Sequence, residues 1–216
     1  MTDIISFYTN PFSRGRIVHW MLEEVGAPYH VELLDFERGE HKHPTYLTLN
    51  PMGKVPAIVH RGVAVTECAA ICAYLADAFP VAKLAPLPSE PSRGTYFRWL
   101  FFAASCIEQA GTDKSSPRAV DVRPSALGYG TYDDVLNGVE HAIAPGPYIL
   151  GDRFSAADVY LGSQLIWGMM IKSIEARPSF VEYVGRLTKR PAYLRFMEKS
   201  KELEEELKSR KAPAAE

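Results

Sequence analysis

The apolar and polar positions divide the chain into a first part that mixes short apolar runs with helical stripes and a second part that is helical throughout. Ile4-Ile5-Ser6-Phe7-Tyr8 has the make-up of a strand. After a proline-containing loop, the segment Arg14 to Val25 carries Ile17, Trp20, Met21 and Leu22, the later ones spaced to share a helical face. Gly26 marks the helix end and Tyr29 to Leu34 predicts a second strand, so the opening unit is a right-handed parallel strand-helix-strand crossover. Ala57-Ile58-Val59-His60 and Val63-Ala64-Val65-Thr66 flank Arg61-Gly62, a pair suited to a hairpin turn. A helix follows from Glu67 to Phe79, and Pro44 to Leu49 reads as a loop with a short helical turn. The order β-α-β, then β-β-α, predicts a small α/β domain over residues 1–80.

Pro80, Pro86, Pro88 and Pro91 crowd one stretch with the composition of a semi-rigid linker, which places a boundary at residues 81–91. Beyond it, Arg93 to Ala110, Tyr132 to Ala144, Ala156 to Ile171, Phe180 to Thr188 and Ala192 to Lys208 read as helices, making residues 92–216 an all-helical domain. Ser155-Ala156-Ala157-Asp158 has the form of a capping box with Asp for the usual Glu, and Phe154 is placed to act as its hydrophobic staple. Thr112 to Gly130 reads as a loop and the charged Lys199 to Glu216 as a fraying end. Tyr96, Trp99, Phe102 and Cys106 lie at helical spacing and read as core.

With 47% hydrophobic and 23% charged residues, the composition excludes a disordered chain. A formal net charge of -2 gives no broad electrostatic footprint for nucleic acid or an anionic membrane. No apolar run approaches the roughly 18 residues of a membrane span, and Met1-Thr2-Asp3 carries no basic leader, so a cytoplasmic location with small-molecule or protein partners is expected. Cys68, Cys72 and Cys106 show neither a CxxC nor a zinc-ligand spacing, which favours reduced thiols over a disulfide framework or a metal site.

The chemistry concentrates in Asn50-Pro51-Met52-Gly53-Lys54-Val55-Pro56 and in Glu67-Cys68. Pro56 sits where a strand begins and has no N–H for the ladder, so Val55-Pro56 fits a tight turn that leaves the Val55 backbone free to pair with an extended peptide. Glu67 and Cys68 open the next helix, whose N–H groups and dipole attract a carboxylate while Glu67 suits an amine. The spacing predicts a cradle for a small peptide.

These stretches resemble the cytosolic glutathione transferase family over nearly the whole chain. Gly39-Glu40-His41-Lys42 with Asn50 to Ala57 resembles its glutathione loop, Glu67-Cys68-Ala69-Ala70-Ile71 its Glu-Ser-x-Ala-Ile helix start, and Gly151-Asp152-Arg153-Phe154-Ser155-Ala156-Ala157-Asp158 its buried capping motif. The resemblance implies a bacterial member of Ser-type or a related class. Its fold is a thioredoxin-like α/β N-terminal domain, with a mixed sheet and a cis-proline, joined to an all-α domain that helps form the electrophile pocket. It further implies that Val55, in the turn made by Pro56, pairs with the cysteinyl unit of glutathione, that Glu67 contacts the γ-glutamyl amine, and that the position-68 N–H binds the γ-glutamyl carboxylate. His41 and Lys54 then face the glycyl carboxylate. Cys68 departs from the family's serine and offers only a weak S–H donor.

The implied reaction is attack of the glutathione thiolate on a small apolar electrophile, a detoxifying conjugation. A thiol of pKa about 8.5 is mostly protonated at neutral pH, so a hydroxyl hydrogen bond and a helix N-terminus must favour the charged form. Ser13, in the loop before the first helix, is the first choice for that hydroxyl; Tyr8, Thr9 and Asn10 are the alternatives, and Phe12 forms part of the electrophile pocket. The resemblance also implies a homodimer, glutathione as co-substrate and no metal. Two other readings stay open: a glutathione-dependent disulfide or peroxide reductase, and a partner-binding module of the same fold without catalysis.

Overall fold

Ile5, Phe7 and Thr9 are buried while Ser6 and Tyr8 are half-buried, the period of two expected of a strand with one face under helices, and these residues form β1 (Ile5–Thr9). In the computed structural model, which describes residues 3–120 and 122–211, β1 lies inside a four-stranded sheet. The strand order is β2-β1-β3-β4, with β2 (Tyr29–Leu33) parallel to β1, β3 (Ala57–His60) antiparallel to it, and β4 (Val63–Thr66) antiparallel to β3. The crossover from β1 to β2 runs through α1 (Gly15–Val25), which ends at Gly26 with a left-handed φ of 66°. The hairpin turn falls on Arg61 and Gly62, whose φ values of 52° and 77° match the twist of the flanking strands. A short α2 (Pro44–Leu47) precedes β3, the Val55–Pro56 peptide is cis, and α3 (Cys68–Ala78) follows β4 and packs on α1. This is the thioredoxin-like arrangement expected.

Two compact units divide the chain, and their bounds differ from the expected ones: residues 83–91, expected as linker, group with the helical unit. The last helix, α9 (Pro191–Lys211), joins the sheet unit rather than the helical one, so residues 191–211 do not belong with 92–190. The reason lies in α1, which is buried nearly all round from Ile17 to Glu23 and so needs cover on two sides. Tyr193 meets Trp20 edge-on at 5.0 Å, Phe196 meets His19 at 5.4 Å, and Arg16 donates to Ser200 Oγ at 2.8 Å. Glu23, buried on α1, takes Arg195 at 3.0 Å and Lys199 at 2.6 Å. The segment from Lys199, expected to fray, is therefore helical to Lys211, and Arg210 donates to the Leu33 carbonyl at 3.1 Å. Residues 212–216 of that expectation lie outside the described residues.

The second unit, Lys83 to Arg190, contains α4 (Ser92–Phe102), a π-helical turn (Ala103–Ile107), α5 (Glu108–Ser115), α6 (Tyr132–Ile143), α7 (Ala156–Met170) and α8 (Pro178–Leu187). The helix expected from Arg93 to Ala110 is thus interrupted by the π turn and runs on to Ser115, into the stretch read as loop. Asp113 stabilises that extension by accepting from Gln109, Arg118 and Tyr129. Tyr96 and Trp99 are core residues, whereas Phe102 and Cys106 are only partly covered. At the start of α7 the capping box is present, with Asp158 fully buried. No helix among the described residues is long and apolar enough to cross a membrane.

Candidate functional site

The loop from β1 to α1 is organised by Asn10, which is 2% exposed. Its Nδ2 donates to the Leu34 carbonyl at 2.8 Å, its Oδ1 accepts the Phe12 N–H at 2.9 Å, and its carbonyl accepts both the N–H of Ser13 and, at 2.6 Å, the Ser13 hydroxyl. Ser13 Oγ in turn accepts the Gly15 N–H at 3.0 Å, which seats it at the entrance of α1. Its single proton is thereby given to Asn10. Phe12, anchored through its N–H to Asn10, is 57% exposed.

Tyr8 and Thr9 are neighbours on β1 and so point to opposite faces. Thr9 is buried under α1, where a Cβ added at Gly15 would lie 1.9 Å from its Oγ1, so the close approach of α1 to β1 requires glycine there. Tyr8 turns to the other face, its ring 5.6 Å from that of Tyr46 on α2. Burial, and then the nearby Glu32 charge, push its hydroxyl above the usual phenol range. Neither lies in the hydrogen-bonded loop at the entrance of α1 that holds Ser13.

The ladder of β3 begins at Ala57, opposite Tyr8 and Thr66, and the Val55 backbone N–H and C=O have no hydrogen-bond partner among the described residues. Upstream, the Lys54 carbonyl accepts from the Tyr46 hydroxyl and from Asn50 Nδ2 at 2.9 Å. Gly53, at φ 59°, lets this loop meet the 3-10 turn Glu40–Lys42: a Cβ there would stand 2.8 Å from the His41 carbonyl and 2.6 Å from Lys42 Nζ. Lys42 Nζ closes the junction by donating to the Met52 carbonyl at 2.9 Å. His41 and Lys54 therefore sit on adjoining loops. The Lys54 side chain is exposed, and the buried Nδ1 of His41 has no partner among the described residues.

Glu67 precedes α3 with φ 65° and ψ 121°, a conformation that costs a non-glycine residue about 1–3 kcal/mol. Its side chain is exposed, and no side chain caps the helix behind it. Cys68 is the first residue of α3; its thiol is turned inward and donates to the Arg14 carbonyl at 3.7 Å, which brings the starts of α1 and α3 together. Cys72 is wholly buried, and burial, then the neighbouring Cys68, pushes its thiol well up. Among the described residues no group of three or more His, Cys, Asp or Glu side chains is arranged to hold a metal ion.

Val55, Glu67, Cys68, His41, Lys54 and Ser13 thus all lie in the first unit, at loops and helix starts beside one end of the sheet. The sequence reading places Asn50 and Lys42 within its motifs without giving them a role, and it does not single out Tyr46. Asn50 was open to discovery through its turn chemistry, because its Oδ1 takes the Met52 N–H two residues on. Tyr46 carries no such local signal.

The profile described as "Glutathione S-transferase, N-terminal domain" matches residues 5–77, and that described as "Glutathione S-transferase, C-terminal domain" matches residues 124–198, together more than half of the chain. The chain belongs to the glutathione S-transferase family. Among curated relatives of this transferase, the glutathione S-transferase GstA of Escherichia coli O157:H7 is 28% identical over 177 residues, covering 80% of this chain and 87% of the relative. A glutathione transferase structure from Methylococcus capsulatus aligns with a TM-score of 0.78 at 29% identity, covering 91% of this chain and 98% of that one. A sphingomonad glutathione S-transferase solved in complex with glutathione aligns with a TM-score of 0.75 at 28% identity, covering 91% and 98%. The N-terminal profile takes in every candidate site residue from Tyr8 to Cys68 in this transferase, and the C-terminal profile ends within α9.

Proposed function

We propose that this transferase binds glutathione along the Val55 edge and transfers its thiolate to small apolar electrophiles. The observation that carries the reading is the unpaired Val55 backbone, lying in the same unit as an uncapped α3 whose first turn is preceded by Glu67 in a strained conformation. Strain held at one exposed carboxylate is the mark of a residue fixed for contact. In this reading Val55, turned outward by Pro56, pairs with the cysteinyl unit, Glu67 takes the γ-glutamyl ammonium, and the Cys68 N–H takes the γ-glutamyl carboxylate at the helix start. His41 and Lys54 face the glycyl carboxylate. Ser13 serves the sulfur by swinging its proton from the Asn10 carbonyl to the thiolate, a stronger acceptor because it is charged, while the Gly15 N–H keeps the oxygen in place. Phe12 borders the electrophile. On family grounds the reading extends to a homodimer acting in the cytoplasm, with glutathione as co-substrate and no metal.

Saturating glutathione, at about a hundred times its Kd, is expected to stabilise the protein by about 2.7 kcal/mol, seen as a rise of roughly 5–10 °C in melting temperature. Glu67→Ala should lose most of that rise. No thermal shift, and no heat in calorimetry, would end the reading. Ser13→Ala is expected to slow conjugation of an aryl halide about tenfold at pH near 6.5 while leaving glutathione affinity unchanged, since the loss falls on the thiolate. Should the intact protein reduce a small disulfide while failing to conjugate the halide, the chemistry is reduction instead.

A further inference from the structure

We infer that Tyr46 and Asn50 are positioning residues that aim the Val55 N–H at the bound peptide, an assignment that rests on the glutathione cradle proposed above. The Lys54 carbonyl and the Val55 N–H belong to one planar peptide unit, and this unit is trans, so the two groups point to opposite sides. Fixing the oxygen therefore fixes the N–H. Two donors hold that oxygen: the Tyr46 hydroxyl reaches it from α2, and Asn50 Nδ2 reaches it at 2.9 Å from the loop itself. They occupy both lone pairs of the carbonyl.

Each donor is locked in turn. Asn50 is 3% exposed, its Oδ1 accepts the Met52 N–H at 3.1 Å, and its carbonyl accepts the Gly53 N–H at 2.8 Å. Tyr46 is 4% exposed and its carbonyl accepts the N–H of Asn50 at 3.0 Å, so the two donors are tied to each other as well. The Tyr8 ring braces that of Tyr46. Burial pushes the Tyr46 hydroxyl up to about 12, and it remains a proton donor through the neutral range. A peptide plane already held in its bound orientation loses no freedom when the ligand docks, so affinity here depends on two side chains that need never touch glutathione.

The test is calorimetry of the full chain with glutathione, wild type against Tyr46→Phe, which keeps the ring and removes the hydroxyl. The Kd is expected to rise about fivefold to tenfold, the loss of one neutral hydrogen bond, with kcat at saturating glutathione unchanged. In the ligand-free protein, the Val55 amide and Lys54 carbonyl resonances should shift. Asn50→Asp, which keeps the acceptor for Met52 but replaces the donor to Lys54, should raise Kd in the same way. If it fails to fold, Tyr46→Phe decides alone. An unchanged Kd in Tyr46→Phe overturns the inference, and so does a raised Kd with the Val55 amide unmoved, or a fall in kcat without a change in glutathione KM. Wild-type protein that binds no glutathione overturns the underlying reading and this assignment with it.

Discussion

Asp158→Ala is expected to destabilise the protein by about 3–5 kcal/mol, a fall of roughly 10 °C in melting temperature, although the residue lies in the second unit and every candidate site residue in the first. Its carboxylate is wholly buried at the start of α7 and accepts four hydrogen bonds: Oδ1 takes the Ile149 N–H and the Tyr183 hydroxyl, each at 2.8 Å, and Oδ2 takes the N–H and hydroxyl of Ser155 at 2.8 and 2.9 Å. Burial raises the carboxyl pKa, and the donors from Ile149, Tyr183 and Ser155 oppose that rise. Alanine would strand donors from three parts of the unit inside the core, where Tyr183 is also fully buried. Asp158→Asn retains the acceptor for Ile149 and Tyr183 but sets an amide against the Ser155 N–H, so it should fall between wild type and alanine. Denaturant titration of the three proteins checks the order; an alanine variant within about 1 kcal/mol of wild type would refute it.

Stability of the first unit is expected to fall as pH drops from about 6.5 to about 4, by roughly 3 kcal/mol, because of His19. The ring is 3% exposed on α1 and its Nε2 lies 2.9 Å from the Tyr29 hydroxyl. That hydroxyl gives its proton to Glu23 at 2.7 Å, so Nε2 is the protonated nitrogen of a neutral imidazole. Burial pushes the His19 pKa from 6.5 down to about 4; Glu23 pulls it up, and the Lys199 and Arg16 charges push it down further. Between those limits the unfolded chain binds a proton that the folded one refuses, and acid therefore favours unfolding. Glu23 acts lower on the scale. Burial raises its pKa, but Lys199, Tyr29 and Arg195 together outweigh that and hold it below 4.5, so its contribution stands above 4.5 and is lost as pH falls through the depressed folded value. His19→Gln keeps an N–H for Tyr29 and removes the titration. Urea midpoints at pH values near 7, 5.5 and 4.5 should then decline far less than in wild type, and parallel declines would show the histidine is not responsible.

The parts of the fold that could be read from the sequence are those set by short-range chemistry. Gly26 stops α1 through its own left-handed backbone, and Arg61-Gly62 turns the hairpin within two residues, so both stand where expected. The π turn at Ala103–Ile107 was not legible, because one residue of slippage leaves the apolar stripe on either side intact. The seat of α9 was not legible either: amphipathic spacing announces a helix but not its partner, and Arg16 with Ser200, or Glu23 with Lys199, are pairs that no window of sequence contains. The site divides the same way. Val55-Pro56 and Glu67-Cys68 are local motifs and lie as expected at the head of β3 and the head of α3, whereas the Tyr46 hydroxyl meets the Lys54 carbonyl only once α2 has folded over the loop. The strand period did hold one unused clue, since it already separates Tyr8 from Thr9 across the sheet.

The placement of α9 bears on how the protein is made. Trp20 and Glu23 emerge early from the ribosome, but Tyr193, Arg195 and Lys199, which shield and neutralise them, arrive only after the whole helical unit has been synthesised. The unit that starts first is thus the last to be completed, with an apolar flank of α1 left open to chaperones during elongation.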